Sequence, residues 1–170
     1  MTDLGEVAAT IGNLPNVLAT LLGPIDPSVL TQRPEPGEWS VHEVIGHLAT
    51  CDGPAFRDRI SAIAAGEPNI ASFSAAVPMA DRDFNSERLS DLLAELGEQR
   101  EQSVAMLRAL NPDDLTRSSA YGADRRFTAG DFVHEWPFHD HDHTQQILAG
   151  LKLAHIPAMS DTMRHALDID

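Results

Sequence analysis

The chain has 170 residues, 42% of them hydrophobic, enough for one domain with a real core and too many for disorder along its length. Its formal net charge of −14, from 12 basic and 26 acidic residues, would repel a phosphate backbone and disfavours nucleic-acid binding by charge attraction. Cys51 is the single cysteine, so no intramolecular disulfide can form. No apolar run approaches the ~20 residues of a bilayer span and no basic-then-apolar leader opens the chain, so a cytoplasmic protein with no membrane partner is expected.

The first predicted helix runs from about Asp3 to Leu22, with Val7, Ile11, Leu14, Leu18 and Leu22 at helical spacing. Pro15 lies inside it, which predicts a kink or break, and Gly23-Pro24 ends it. A short turn over 27–31 and an irregular stretch around Pro34 and Pro36 follow. The second helix opens at Ser40, where Glu43 three residues on completes a capping-box pattern and Trp39 is placed to staple the first turn. Val44, His47, Leu48 and Cys51 share its apolar stripe, Ile60 and Ile63 extend it, Pro54 should bend it, and Gly66-Glu67-Pro68 stops it.

Residues 67–83, with Pro68 and Pro78, read as a loop long enough to cover a site, or as a plain crossover. The third helix spans about Ser86 to Leu110 on a stripe of Leu89, Leu92, Leu96, Val104 and Leu107. A second loop follows over 112–127. Its basic pair, Arg125 and Arg126, is a candidate for an anionic substrate at an entrance, against the plainer reading of solvated loop charge. The fourth helix opens at Thr128 with Asp131 three residues on, continues to about Leu148, and carries Pro137, which should disturb one turn. No convincing strand alternation is visible, so the expected fold is an all-α four-helix bundle over residues 1–150. Its long connections permit crossovers, and residues 151–170 form a C-terminal extension packed on it or trailing from it.

Eight histidines are the main chemical signal. His139 and His143, four apart on a helix, set two rings on one face roughly 6 Å apart at Cβ, and two ring nitrogens can then meet one ion at ~2.0–2.1 Å. Spacing alone makes this weak. His47, on the apolar stripe of another helix, completes a three-nitrogen set that leaves open positions for water or substrate, although a lone histidine there is more often a satisfied core residue. Cys51, one turn after His47, is either a fourth ligand or a small buried hydrophobe. Asp140 and Asp142 read chiefly as a solvated helix face, with a contact to an imidazole as the alternative. His42, His134, His141, His155 and His165 have no spacing that recommends them.

The segment Pro34-Glu35-Pro36-Gly37-Glu38-Trp39-Ser40-Val41-His42-Glu43-Val44-Ile45-Gly46-His47-Leu48, followed much later by His139-Asp140-His141-Asp142-His143 and Gln146-Ile147, resembles the paired signature of the DinB-like superfamily. The resemblance covers about residues 5–150. It implies a crossover four-helix bundle of the DinB/YfiT type, often a homodimer, with His47, His139 and His143 as ligands to a divalent metal, most simply Zn2+, with Ni2+ or Fe2+ as alternatives. It further implies similarity to mycothiol-dependent maleylpyruvate isomerases and bacillithiol S-transferases, in which the metal lowers the pKa of a small cofactor thiol and the thiolate attacks a small-molecule substrate.

The expected activity is therefore metal-dependent S-transfer or isomerisation with a thiol such as mycothiol or bacillithiol. Two alternatives stand beside it. One is a hydrolase using an activated water, for which Glu43, Asp52 and Glu135 are the nearby carboxylates that could act as base. The other is a non-catalytic metal- or ligand-binding bundle.

Overall fold

Asp3 starts the first helix by accepting hydrogen bonds from the freed backbone N–H of Gly5 (2.9 Å) and Glu6 (3.3 Å). The computed structural model describes residues 3–169, save the side chains of Val77 and Pro78. Met1, Thr2 and, at the end of the expected C-terminal extension, Asp170 lie outside the described residues, as does the Pro78 side chain of the expected loop.

Helix α1 spans Leu4–Leu22 and runs unbroken through Pro15, so of the expected kink or break the break does not occur. The apolar residues flanking the proline, Ile11, Leu14 and Leu18, are all buried, and this packing holds the helix across the missing hydrogen bond. A single turn, α2 (Pro27–Leu30), follows. Helix α3 (Val41–Cys51) opens on the anticipated capping box. Glu43 N–H donates to Ser40 Oγ at 3.1 Å, and Ser40 N–H donates to the Glu43 carboxylate at 2.8 Å.

Where Pro54 was expected to bend the second helix, the rod widens into a π-helical turn over Asp52–Arg57 and resumes as α4 (Asp58–Ala64). It ends in a Schellman motif. Gly66, at φ +85°, donates to the Ile63 carbonyl, and Glu67 donates to that of Ala62, both at 3.0 Å.

The long loop after α4 contains the short helix α5 (Ala76–Ala80). Helix α6 covers Leu89–Ala109. The absence of strands is corrected: Ser118–Tyr121 (β1) and Arg125–Thr128 (β2) pair as an antiparallel hairpin, Ser118 opposite Thr128. Four-residue strands are too short for alternation to register in sequence. The hairpin clips the long loop in place, because Ala120 N–H donates to the Pro68 carbonyl (2.9 Å) and Ile70 N–H to that of Ala120 (3.0 Å).

Helix α7 (Ala129–Leu153) starts on the second anticipated box, Thr128 with Asp131, and continues through Pro137. It overruns the boundary expected at 150, and the short α8 (Asp161–Ala166) lies in the mostly exposed remainder.

Helix α1 packs chiefly on α6 and α7, and the α3–α4 rod packs on the same two. The first and second long helices therefore stand across the bundle from one another, which is the expected crossover arrangement. One apolar cluster joins Leu18 and Leu22 to Val44, Leu48, Leu92 and Leu96, and a second joins Ile11 to Ile60, Ile63, Leu107 and Trp136. Complete burial of one such leucine or isoleucine contributes about 1.5–3 kcal/mol. No helix among the described residues is long and apolar enough to cross a membrane.

Candidate metal centre

The two apolar clusters bring α3 against α7, and this carries His47 to the histidine pair. The ligand-capable atoms of His47, His139 and His143 all lie within 4.8 Å of one another. The Nε2 atoms of His47 and His139 are 3.2 Å apart. Tetrahedral nitrogens at ~2.05 Å from one ion stand about 3.3 Å apart, so this edge already has the spacing of a coordination polyhedron. The three rings also pack on one another, with centroids 4.5–5.3 Å apart.

Two of the three rings have a polar partner behind them. His143 Nδ1–H donates to Gln146 Oε1 at 2.9 Å, which leaves Nε2 bare. His47 Nδ1 lies 3.3 Å from Cys51 Sγ. Cys51 thus meets the ring nitrogen other than the one facing His139, and the structure places it behind the cluster. Burial pushes its thiol up to about 12, with the charge of Asp52 adding to the effect, so it remains a protonated, inert group. His139 Nδ1 is buried without a hydrogen-bond partner, 4.0 Å from Asp140 Oδ1.

Burial, followed by the neighbouring His143 and His139, pushes the imidazolium of His47 down to about 3. Burial also lowers His143, against the opposing hydrogen bond of Gln146. Neutral imidazoles are the form that binds a cation, so the lowering at His47 and His143 favours a divalent metal at these two donors.

Asp140 was expected on a solvated face and is instead 2% exposed. The Arg100 guanidinium, also 2% exposed, bridges it to Asp52: Nη1 and Nη2 donate to Asp140 at 2.6 and 2.7 Å, and Nε lies 2.9 Å from Asp52 Oδ1. Asp52 further accepts from Ser103 Oγ at 2.5 Å and from the indole N–H of Trp136 at 3.3 Å. Burial raises the Asp52 carboxyl, partly opposed by Arg100 and Ser103. At Asp140 the contacts of His139 and Arg100 outweigh burial and hold the carboxyl below its usual range. The network ties α6, α7 and the π-turn together directly beneath the histidines. Asp142 and His141 are exposed, as expected.

Trp39 does more than staple the helix start. It lies against His47 (centroids 4.7 Å) and stacks on His143 (6.1 Å). On the other side, Phe56 on the π-turn meets His139 edge-on at 5.2 Å and stacks on Trp136 at 4.9 Å. The extra residue of the π-turn sets this rotation, and periodicity does not reveal it.

A cavity of about 210 Å³ opens beside His47 and His139, walled by Cys51, Phe56, Arg59 and Glu135 and roofed by Phe73 and Ala75 of the long loop. The loop thus contributes to the wall of the site. Of the three candidate bases only Glu135 reaches this cavity: Glu43 is held by Arg33 and the capping box, and Asp52 lies under Arg100. Arg125 and Arg126 stay on the hairpin, the first over the Tyr121 ring and the second bonded to the Ser118 carbonyl. His42 is buried away from the cluster, its Nδ1–H donating to the Phe84 carbonyl at 3.2 Å.

A crossover bundle with three converging histidines is the architecture the sequence resemblance implied. Residues 12–147 match the sequence profile of the DinB superfamily, and the chain belongs to that superfamily. Among solved structures it is similar to YfiT from Bacillus subtilis, described as a probable metal-dependent hydrolase with an unusual four-helix bundle topology. The TM-score is 0.77 at 20% sequence identity, over 92% of this chain and 89% of that one. No curated protein matches the chain by sequence.

Proposed function

We propose that this protein is a divalent-metal-dependent enzyme acting on a small molecule, with His47, His139 and His143 as the metal ligands. The observation that carries the reading is the convergence of three histidine rings beside a cavity. Three protein ligands leave coordination positions open, the arrangement of a catalytic rather than a structural site. Zinc is the expected ion, although Ni2+ and Fe2+ suit the same donors. When bound, the ion supplies Lewis acidity that lowers the pKa of a thiol or water in the open position. The rest is the work of this chain: Gln146 and Cys51 orient the rings, Trp39 and Phe56 wall off solvent, and the 67–75 loop roofs the cavity.

The preferred reaction is transfer or isomerisation with a low-molecular-weight thiol such as mycothiol or bacillithiol, as the superfamily resemblance implies. With Cys51 behind the cluster, the thiol must come from outside the chain. Hydrolysis is the second reading, and Glu135 favours it: one turn before His139 and on the cavity wall, it can take a proton from a water in the cavity. Its description as a probable metal-dependent hydrolase makes YfiT a precedent for this reading.

The test is the metal content of the purified protein, then thiol consumption with electrophiles against ester or amide cleavage without thiol. Thiol-dependent turnover that survives Glu135→Gln supports transfer, and thiol-free cleavage lost in Glu135→Gln supports hydrolysis. A purified chain that holds no divalent ion, with His47→Ala indistinguishable from wild type, overturns both.

A further inference from the structure

Arg59 lines the cavity and has no acidic partner. Arg82 pairs with Glu87 and Glu95 and Arg100 with Asp52 and Asp140, while Arg57, which likewise has no ion pair among the described residues, donates from its guanidinium to the carbonyl and side chain of Gln99. Arg59 forms no ion pair among the described residues, although the chain holds 26 acidic groups. Its Nε is buried without a hydrogen-bond partner, and its one hydrogen bond is a long donation from Nη1 to the Ala55 carbonyl, at 3.4 Å. Two aromatic faces hold it instead, with Tyr121 at 5.4 Å and Phe132 at 5.3 Å from the guanidinium carbon. Such contacts fix the cation and leave the N–H edges of the fork unfilled.

The direction of the side chain gives this meaning. His47, Cys51, Ala55 and Arg59 recur every four residues along one rod and all line the cavity. The bond to Ala55 shows that Arg59 folds back towards the start of the helix, as helical side chains do, and so towards His47. About two helical turns, on the order of 10 Å, then separate the guanidinium from the histidine cluster.

We propose that Arg59 is the anchor for a carboxylate on the substrate, and that the substrates are small organic acids whose reacting end reaches the three histidines. The planar fork matches a carboxylate with two parallel hydrogen bonds. Glu135 on the same cavity wall disfavours a dianion such as phosphate. The claim about the reacting end rests on the proposed metal centre, whereas the anion site itself does not.

The experiment separates the two. Metal-free and zinc-loaded protein are titrated calorimetrically with benzoate, propionate, benzamide, propionamide and inorganic phosphate, and in the wild type the Arg59 Nε–H signal is followed by NMR. The acids are expected to shift that signal and to bind about tenfold more tightly than the amides, the scale of one charged hydrogen bond. Arg59→Gln is expected to lose about tenfold in acid binding while keeping zinc affinity, with Arg59→Lys falling between. Should Arg59→Gln fail to fold, Arg59→Lys and the acid-against-amide contrast in the wild type carry the test. Equal binding of acid and amide, tighter binding of phosphate, or acid binding indifferent to Arg59 overturns the proposal. Arg59-dependent acid binding in a chain that takes up no zinc leaves the anion site standing and removes the metal centre.

Discussion

The Nε2 atoms of His47 and His139 face each other at 3.2 Å across the α3–α7 interface. Two bare ring nitrogens at that distance repel unless a proton or a cation lies between them. Burial keeps a second proton off the His47 ring down to about pH 3, so the pair is satisfied either by the single Nε2–H of one neutral ring pointing at the other nitrogen or by a cation that displaces it. Wild-type protein is expected to bind one zinc or cobalt ion per chain, and His47→Ala, His139→Ala or His143→Ala each to abolish binding in calorimetric titration. Cys51→Ala is expected to retain the ion with affinity reduced about tenfold, the scale of losing a group that orients a ligand. The spectrum of the cobalt-loaded wild type should lack a thiolate charge-transfer band. A band that disappears in Cys51→Ala contradicts the placement of that thiol behind the cluster.

The same burial sets a pH dependence. An exposed imidazole in the unfolded chain titrates near ~6.5, while His47 in the folded chain titrates at about 3. Above pH 6.5 neither state takes up the proton and stability is unaffected. Below it the unfolded chain gains a proton that the folded chain refuses, so stability falls by up to about 1.4 kcal/mol per pH unit towards pH 3. The lowering of His143 acts in the same direction. The urea midpoint of the metal-free protein is therefore expected to drop between pH 7 and pH 5, and less so in His47→Gln. A flat profile in the wild type contradicts the burial argument.

Arg100 compensates two buried carboxylates at once. Arg100→Met leaves Asp52 and Asp140 facing each other without their cation, and removing one partner of a buried ion pair costs about 3–5 kcal/mol. Urea denaturation is expected to show a loss of that size, or no folded state. Asp52→Asn, which keeps most of the hydrogen bonds, is expected to cost markedly less. Parity between the two would mean that the guanidinium charge is not what holds the three helices.

Gly46 is fixed by a close approach one residue before His47. A Cβ built there falls 2.2 Å from Phe84 Cδ1, and Phe84 is 1% exposed, so the ring cannot simply swing out. Gly46→Ala is expected to destabilise the fold by about 1–3 kcal/mol through overpacking. Phe84→Leu, which frees space at the contact, should recover part of that loss in the double variant. Additive losses would show that the two residues do not share the contact.

Much of the scaffold was legible locally. Ser40 with Glu43 and Thr128 with Asp131 are short-range patterns whose hydrogen bonds close within four residues, and both boxes form as read. The stripe carrying His47 and the four-residue spacing of His139 and His143 are likewise properties of one helix each, and the bundle turns both inward. Neither proline ends its helix: α1 passes through Pro15, where packing outweighs the local tendency to break, and α7 continues through Pro137 as read.

What sequence by itself determined were the quantities set within a turn or two of chain: helix starts, apolar faces, and which imidazoles share a side. Only tertiary structure decided that Asp140 is buried, because its partner Arg100 lies 40 residues away on α6 with nothing local to mark the pair. It also decided that Phe73 roofs the cavity, through a hairpin whose strands are too short to show a period. The same holds for Arg59, whose unfilled fork is visible only once the carboxylates of the described residues have positions. Hydrophobic periodicity is a property of one segment, whereas the compensation of a buried charge depends on which distant group folding brings against it.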